Sequence, residues 1–118
     1  MENILLLDIS MALKVLALGG DGIGPEVVGA ALQVLEVASK SIGLPLDISE
    51  DALGWTAWER YGTVIRPETL SKAHACDALL VGAVGDPKWD HIVIEGGPED
   101  QDGLMKLRHE LQVFACLR

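Results

Sequence analysis

Apolar positions along the chain fall into short unbroken runs and one long spaced series, and the two kinds alternate. Residues 13–18 (LKVLAL) are nearly continuous apolar sequence with a single lysine, the pattern of a strand covered on both faces. The run empties into Gly19-Gly20-Asp21-Gly22-Ile23-Gly24, a loop that must turn tightly. Pro25 then suits the first position of a helix, where its missing N–H costs nothing. Through residues 26–42, Val27, Val28, Ala31, Leu32, Leu35, Ala38 and Ile42 recur at helical spacing, and Gly43 followed by Pro45 is a stop signal. Strand, glycine-rich turn and long helix together open an α/β unit.

Residues 46–49 alternate apolar and polar and predict a second strand. Residues 55–61, aromatic-rich and ending at Gly62, predict one or two helical turns. Residues 67–76 begin with Pro67 and two early polar residues, again a helix signature. Residues 78–84 (ALLVGAV) make the cleanest buried strand and lead into a second turn-rich loop at 85–90. An acidic, glycine-containing loop follows at 95–102, where Asp102 is placed to cap a helix from Gly103 to about Glu110. The apolar run at 113–117 predicts a further strand. No repeat, low-complexity tract or linker divides the chain, so residues 11–118 read as one domain. Its fold class is α/β, a mostly parallel sheet flanked by helices.

At 118 residues and 49% hydrophobic, the chain is long enough for one core and too apolar for intrinsic disorder. A net charge of −9 repels phosphate backbones and anionic headgroups, which argues against charge-driven nucleic-acid or membrane binding. An acidic protein that binds an acidic ligand must gather its few cations, and only Arg60, Arg66, Arg108 and Arg118 are arginines. Cys76 and Cys116 sit in apolar surroundings, forty positions apart. They read as free buried thiols in a reducing cytoplasm, not as a disulfide framework. No apolar stretch approaches the ~20 residues of a membrane span. Residues 1–10 have an acid at Glu2 and no basic start, so they make a poor signal peptide, and Met11 opens a second natural beginning. Residues 1–10 are therefore an extension of unclear status.

Two features carry candidate chemistry. GGDGIGPE after a strand lacks the third glycine of the dinucleotide fingerprint and the G-K-[ST] of a phosphate loop. A glycine turn feeding a helix N-terminus nonetheless favours polar or anionic ligands, and the alternative is a purely structural turn. Arg108 and Arg118 bracket a helix-to-strand connection, and two guanidiniums there suit bidentate clamping of carboxylates. The alternative is that each pairs with a local acid such as Glu110. His74, His91 and His109 share no ligand spacing with one another or with the cysteines, so no metal site is expected.

Taken in order, GDGIGPE, LLVGAVGDPKWD and GLMKLRHELQVFACLR resemble the N-terminal part of the β-decarboxylating dehydrogenases, the isopropylmalate and isocitrate dehydrogenase family. The resemblance runs from Met11 to Arg118 and implies an isopropylmalate dehydrogenase-like α/β domain, truncated to its N-terminal portion. It implies that Arg108 and Arg118 grip the carboxylates of a malate-type substrate. Asp86, Pro87, Lys88, Trp89 and Glu99 would lie along a nicotinamide cofactor, NAD or NADP, with Ile23 at the same cleft. The family chemistry is hydride transfer from a 2-hydroxy acid followed by loss of the β-carboxylate, assisted by Mg2+ or Mn2+. Its catalytic tyrosine and lysine, metal-binding aspartates and adenosine-binding loop follow the position of Arg118, so no catalytic residue is expected within this chain. A cytoplasmic homodimer is likewise implied.

Substrate choice is argued from the helix before Arg108. Leu104, four residues earlier, lies on the same helical face, with Met105 beside it. An apolar patch there meets an isopropyl group better than a third carboxylate. The expectation is therefore 3-isopropylmalate, as in leucine biosynthesis, over isocitrate or tartrate- and malate-type substrates. The other class of function is a non-catalytic fragment acting as a binding or assembly module. The sequence departs from the family twice: Asp86 stands where a second glycine is usual, and PEDQDG is longer than the usual spacing.

Overall fold

A computed structural model describes residues 12–118 of the chain, so the extension at 1–10 and Met11 lie outside the described residues. Three parallel strands, β1 (Leu13–Gly20), β2 (Leu46–Asp51) and β3 (Ala78–Ala83), form a sheet in the order β2-β1-β3. The central strand is the continuous apolar run, as a strand buried on both faces requires. Val15, Leu16, Ala17 and Leu18 are all buried.

Because side chains alternate across the sheet, β1 feeds two layers. Leu16 and Leu18 join Leu53, Ile65, Ala73 and Leu107 in a core cluster on one face. Burial of each of these larger side chains stabilises the fold by about 1.5–3 kcal/mol. On the other face, helix α1 (Gly24–Ile42) packs against β1 and β3 and buries Val28. Val28 Cγ2 comes within 3.0 Å of where a side chain at Gly82 would begin, so the helix rests directly on the strand. The remaining helices are α2 (Trp55–Tyr61), α3 (Pro67–Ala75), α4 (Pro98–Gln101) and α5 (Gly103–Glu110), with a 3-10 turn at Pro87–Trp89. Among the described residues no helix is long and apolar enough to cross a membrane.

The structure corrects four expectations. Residues 113–117 form no strand, and Phe114 and Leu117 are 98% and 95% exposed. A strand needs a ladder partner for its backbone. Here the N–H groups of Leu111, Gln112 and Val113 turn back instead to the carbonyls of Leu107, His109 and Arg108. Gln112, at φ 55°, is in the left-handed region and interrupts an extended backbone here. The apolar series of α1 is wider than its contact with the sheet, so Val27, Ala38 and Ile42 are exposed while Val28 is buried. The acidic loop at 95–102 contains a helical turn, α4, held by the Gly97 N–H donating to Asp100 Oδ2 at 2.8 Å. Finally, both thiols are free but neither is buried: Cys76 is half-buried and Cys116 exposed.

Candidate functional site

In an open parallel sheet, loops at the carboxyl ends of neighbouring strands converge, and ligands favour that edge. Here β1 ends at Gly20, opposite Ala83 of β3. The Asp21 N–H donates to the Ala83 carbonyl at 2.7 Å. Gly20 has φ 79°, and a Cβ at this position would run into the Ala83 oxygen, so only glycine lets the two turns approach this closely. The consequence is functional geometry: Ile23, in the first turn, and the 3-10 turn at Pro87–Trp89, beyond the second, emerge from the same edge of the sheet. Ile23 is 64% exposed.

The residue that organises this edge is Asp21, which is 2% exposed. Its Oδ1 accepts from the Thr56 N–H at 2.8 Å and the Thr56 hydroxyl at 3.0 Å. Oδ2 accepts from the Trp55 N–H at 3.1 Å and the Gly85 N–H at 3.0 Å. One carboxylate thus joins the β1–α1 turn, the start of α2 and the exit of β3. Gly54, at φ 76°, makes this possible, because a Cβ there would collide with the carboxylate. Asp21 was missed as a sequence candidate. Its signal was an acid embedded among glycines, but its partners lie 34 to 64 positions away.

Asp86, the departure from the usual glycine, is extended at φ −151° and ψ 121°, a conformation open to any residue. Its side chain turns inward and accepts from the Lys88 N–H at 3.0 Å, capping the 3-10 turn. Trp89 stacks on Trp55, with ring centroids 5.9 Å apart and planes 17° from parallel, and Trp58 meets Trp55 edge-on at 6.1 Å. Lys88 Nζ lies 4.7 Å from the Trp89 ring centroid and 3.9 Å from Glu59. All three tryptophans of the chain therefore belong to one cluster behind this loop.

Arg108 stands on α5, one turn after Leu104, and the two line a groove of about 380 Å³ with Leu79, Val81, Leu107 and Leu111. Among the described residues no acid lies within ion-pair distance of Arg108. Glu110 instead faces His74 at 3.9 Å, so the local pairing considered for Arg108 does not form. Glu99 Oε1 lies 3.0 Å from His109 Nδ1 and lines a second groove with Arg108 and Met105. That groove includes neither Ile23 nor residues 86–89. Arg118 is exposed and lines neither groove with Arg108. The structure thus brings Leu104, Glu99 and Arg108 together on one side. It brings Ile23 to the same sheet edge as Asp86, Pro87, Lys88 and Trp89.

A third cavity, of about 410 Å³, lies between β1, α2 and α3 and is lined by Arg60, Arg66, Lys72 and Asp51. Asp51 accepts from Arg66 Nη2 at 2.8 Å and Lys72 Nζ at 2.9 Å. Burial alone would push the Asp51 carboxyl up. The hydrogen bonds from Lys72, Arg66 and the Ala52 N–H outweigh it and hold the group at about 2. Arg66 is raised above its ordinary value by the same carboxylate and lies over the Tyr61 ring at 4.0 Å. Two of the three cations are therefore committed to the fold.

Residues 14–118 match the family model for isocitrate/isopropylmalate dehydrogenase. Among curated relatives, the 3-isopropylmalate dehydrogenase of Pseudomonas fluorescens (strain Pf0-1) is 44% identical over 108 residues, 92% of this chain and 29% of its own length. That of Xanthomonas oryzae pv. oryzae (strain MAFF 311018) is also 44% identical, with 30% of its length covered. The chain accordingly spans about three-tenths of these relatives. Among solved structures, a β-decarboxylating dehydrogenase from Thermococcus kodakarensis superposes with TM-score 0.65 and 29% identity, over 85% of this chain and 27% of that one. An isocitrate dehydrogenase from Methylococcus capsulatus gives 0.62 and 28%, over 81% and 25%. The three motifs in order, the parallel β2-β1-β3 sheet and these matches agree: the chain belongs to the isocitrate/isopropylmalate dehydrogenase family.

Proposed function

We propose that residues 11–118 are the N-terminal portion of a 3-isopropylmalate dehydrogenase, and that they supply part of its substrate and cofactor cleft. The whole enzyme would oxidise 3-isopropylmalate with NAD and release the β-carboxylate as CO2. The observation that carries this reading is the groove beside β3, where one guanidinium with no acidic partner among the described residues sits among leucine and valine side chains. An anionic substrate with a branched apolar arm needs that combination. Arg108 would hold a carboxylate through parallel N–H bonds. Leu104 would meet the isopropyl group, whose burial is worth about 1.5–3 kcal/mol. Arg118 would provide the second carboxylate contact once its segment is seated against the substrate.

The residues present fit a nicotinamide cofactor in part. Exposed Ile23 offers apolar surface beside a turn held open by Gly20, and Asp86, Pro87, Lys88 and Trp89 form a capped, stacked loop at the same edge. Glu99 completes the proposed set from the Arg108 side. NAD, when bound, supplies the hydride acceptor. Among the described residues no group of three or more His, Cys, Asp or Glu side chains could hold a metal ion, so Mg2+ or Mn2+ finds no ligand set here. A cytoplasmic homodimer goes with this reading and rests on family membership alone.

In an extended form carrying the rest of the enzyme, Arg108→Lys removes the planar fork and keeps the charge, and should lower kcat/KM for 3-isopropylmalate by about 10²-fold or more. Turnover of isopropylmalate equal to that of the parent would overturn the assignment. The 118-residue chain by itself should not reduce NAD with isopropylmalate and Mn2+, and reduction above the blank would show that the missing machinery is dispensable.

A further inference from the structure

We propose that Asp21 is the positioning residue for the loop at 86–89, setting the geometry in which that loop meets the cofactor. The inference rests on the reading that this loop binds a nicotinamide dinucleotide. It goes beyond that reading by assigning its pre-organisation to one buried carboxylate that does not itself reach the ligand.

The loop has two anchor points, and Asp21 controls both. At its start, the Gly85 N–H donates to Asp21 Oδ2 at 3.0 Å. Towards its end, Trp89 is stacked on Trp55. The Trp55 N–H donates to the same Oδ2 at 3.1 Å, and its neighbour Thr56 donates twice to Oδ1. The Asp21 backbone N–H is fixed in turn on Ala83, at the end of β3. Between the anchors the loop is held by its own bonds, the Asp86 side chain on the Lys88 N–H and the Trp89 N–H on the Asp86 carbonyl, and by an exposed Lys88–Glu59 pair at 3.9 Å that contributes little. The position of the 3-10 turn relative to the sheet is therefore set by the carboxylate and the tryptophan stack.

Three N–H groups point at the two carboxylate oxygens, and the Thr56 hydroxyl shares its single proton between Oδ1 at 3.0 Å and the Gly20 carbonyl at 2.9 Å. Asparagine has the same shape but offers one acceptor oxygen and an NH2 group. With the NH2 in place of Oδ2, the Trp55 and Gly85 N–H groups both face a donor, and with it in place of Oδ1 the Thr56 N–H does, so neither orientation keeps every bond. In Asp21→Asn the loop would lose its fixed position and populate the binding geometry only part of the time. Apparent affinity falls in proportion to that fraction.

The experiment uses the 118-residue chain, with NADH as the probe. The Trp55 ring stacked on Trp89 shifts the Trp89 ring protons upfield in NMR by its ring current, and NADH bound beside Trp89 accepts excitation energy from tryptophan. In Asp21→Asn the Trp89 ring-proton shifts should move towards those of an unstacked indole while the far-ultraviolet spectrum stays folded, and Kd for NADH should rise about tenfold or more. A folded Asp21→Asn protein with the parent Trp89 ring-current shifts and the parent Kd overturns the proposal. If that variant does not fold, Trp55→Leu decides, because it leaves the carboxylate and its N–H donors intact and removes only the stack. A tenfold weaker Kd in Trp55→Leu supports the relay, and an unchanged Kd overturns it. If neither the parent chain nor an extended form carrying the adenosine-binding loop shows transfer to NADH, the cofactor reading of the loop fails. The Trp89 ring-current shifts in Asp21→Asn then still decide whether Asp21 places the loop.

Discussion

Asp51 shows how one side chain ties β2 to α3 and what that costs in acid. It closes β2 and has a side chain only 3% exposed, between Arg66 at the N-cap of α3 and Lys72 on its last turns. Its carboxyl sits at about 2, below the ordinary 3.8, so the folded state binds this proton less readily than the unfolded chain. The stabilisation is therefore complete above about pH 4 and is lost as the pH falls from about 4 towards 2. Allowing for solvent around the partly exposed Lys72, it amounts to about 1 kcal/mol at neutral pH. Asp51→Asn should lower stability by about that much and flatten the fall of the urea midpoint between pH 4 and 2. A variant with the parent's full acid dependence in that window would show that other carboxylates carry it.

At the scale of elements, α5 is the piece whose placement bears most directly on the proposed site, because it carries Leu104 and Arg108. Only eight residues long, it depends on its ends. Asp102 is extended at φ −129° and ψ 104°, and its Oδ1 accepts from the Leu104 N–H at 2.9 Å and the Met105 N–H at 3.2 Å. Asp102→Ala should cost about 1 kcal/mol and speed hydrogen exchange at those two amides, whereas Asp102→Asn should retain most of the protection. Equal exchange in the alanine variant would mean that packing of Leu107 alone holds the turn. This cap was legible in the sequence, as were the starts at Pro25 and Pro67 and the stops at Gly43 and Gly62, because each acts on its own neighbours. The strand expected at 113–117 failed for the opposite reason: an apolar run states only that burial is favourable, and pairing depends on a neighbour that sequence does not display. The same limit hid Asp21. Arg108 and Leu104 were found together because four residues on a helix make one face. Their separation from Ile23 and the loop at 86–89 became visible only once the strands were ordered.

For the whole molecule, the order β2-β1-β3 leaves both outer strands without a partner among the described residues, and the two edges differ sharply. Along β2, Asp47, Glu50 and Asp51 place carboxylates on the strand, and Asp47 and Glu50 are exposed. Such an edge resists pairing with another chain. β3, with the sequence ALLVGA, carries no charge at all, and the groove beside it is apolar apart from Arg108. Free in solution, the chain should therefore self-associate through β3, opposed by the repulsion of its net charge of −9. Raising the salt from about 0.01 to 0.15 M shortens the screening length from about 30 to 8 Å and should strengthen association in sedimentation velocity. Ala78→Glu adds a charge at the exposed start of β3 and should shift the population to monomer. Ser49→Glu adds the same charge to β2 and should change little, so it separates edge pairing from simple repulsion. Equal dispersal by both substitutions would mean that net charge governs association. Monomer dispersal by Ala78→Glu alone would identify the uncharged edge of β3 as the surface that this fold leaves uncovered.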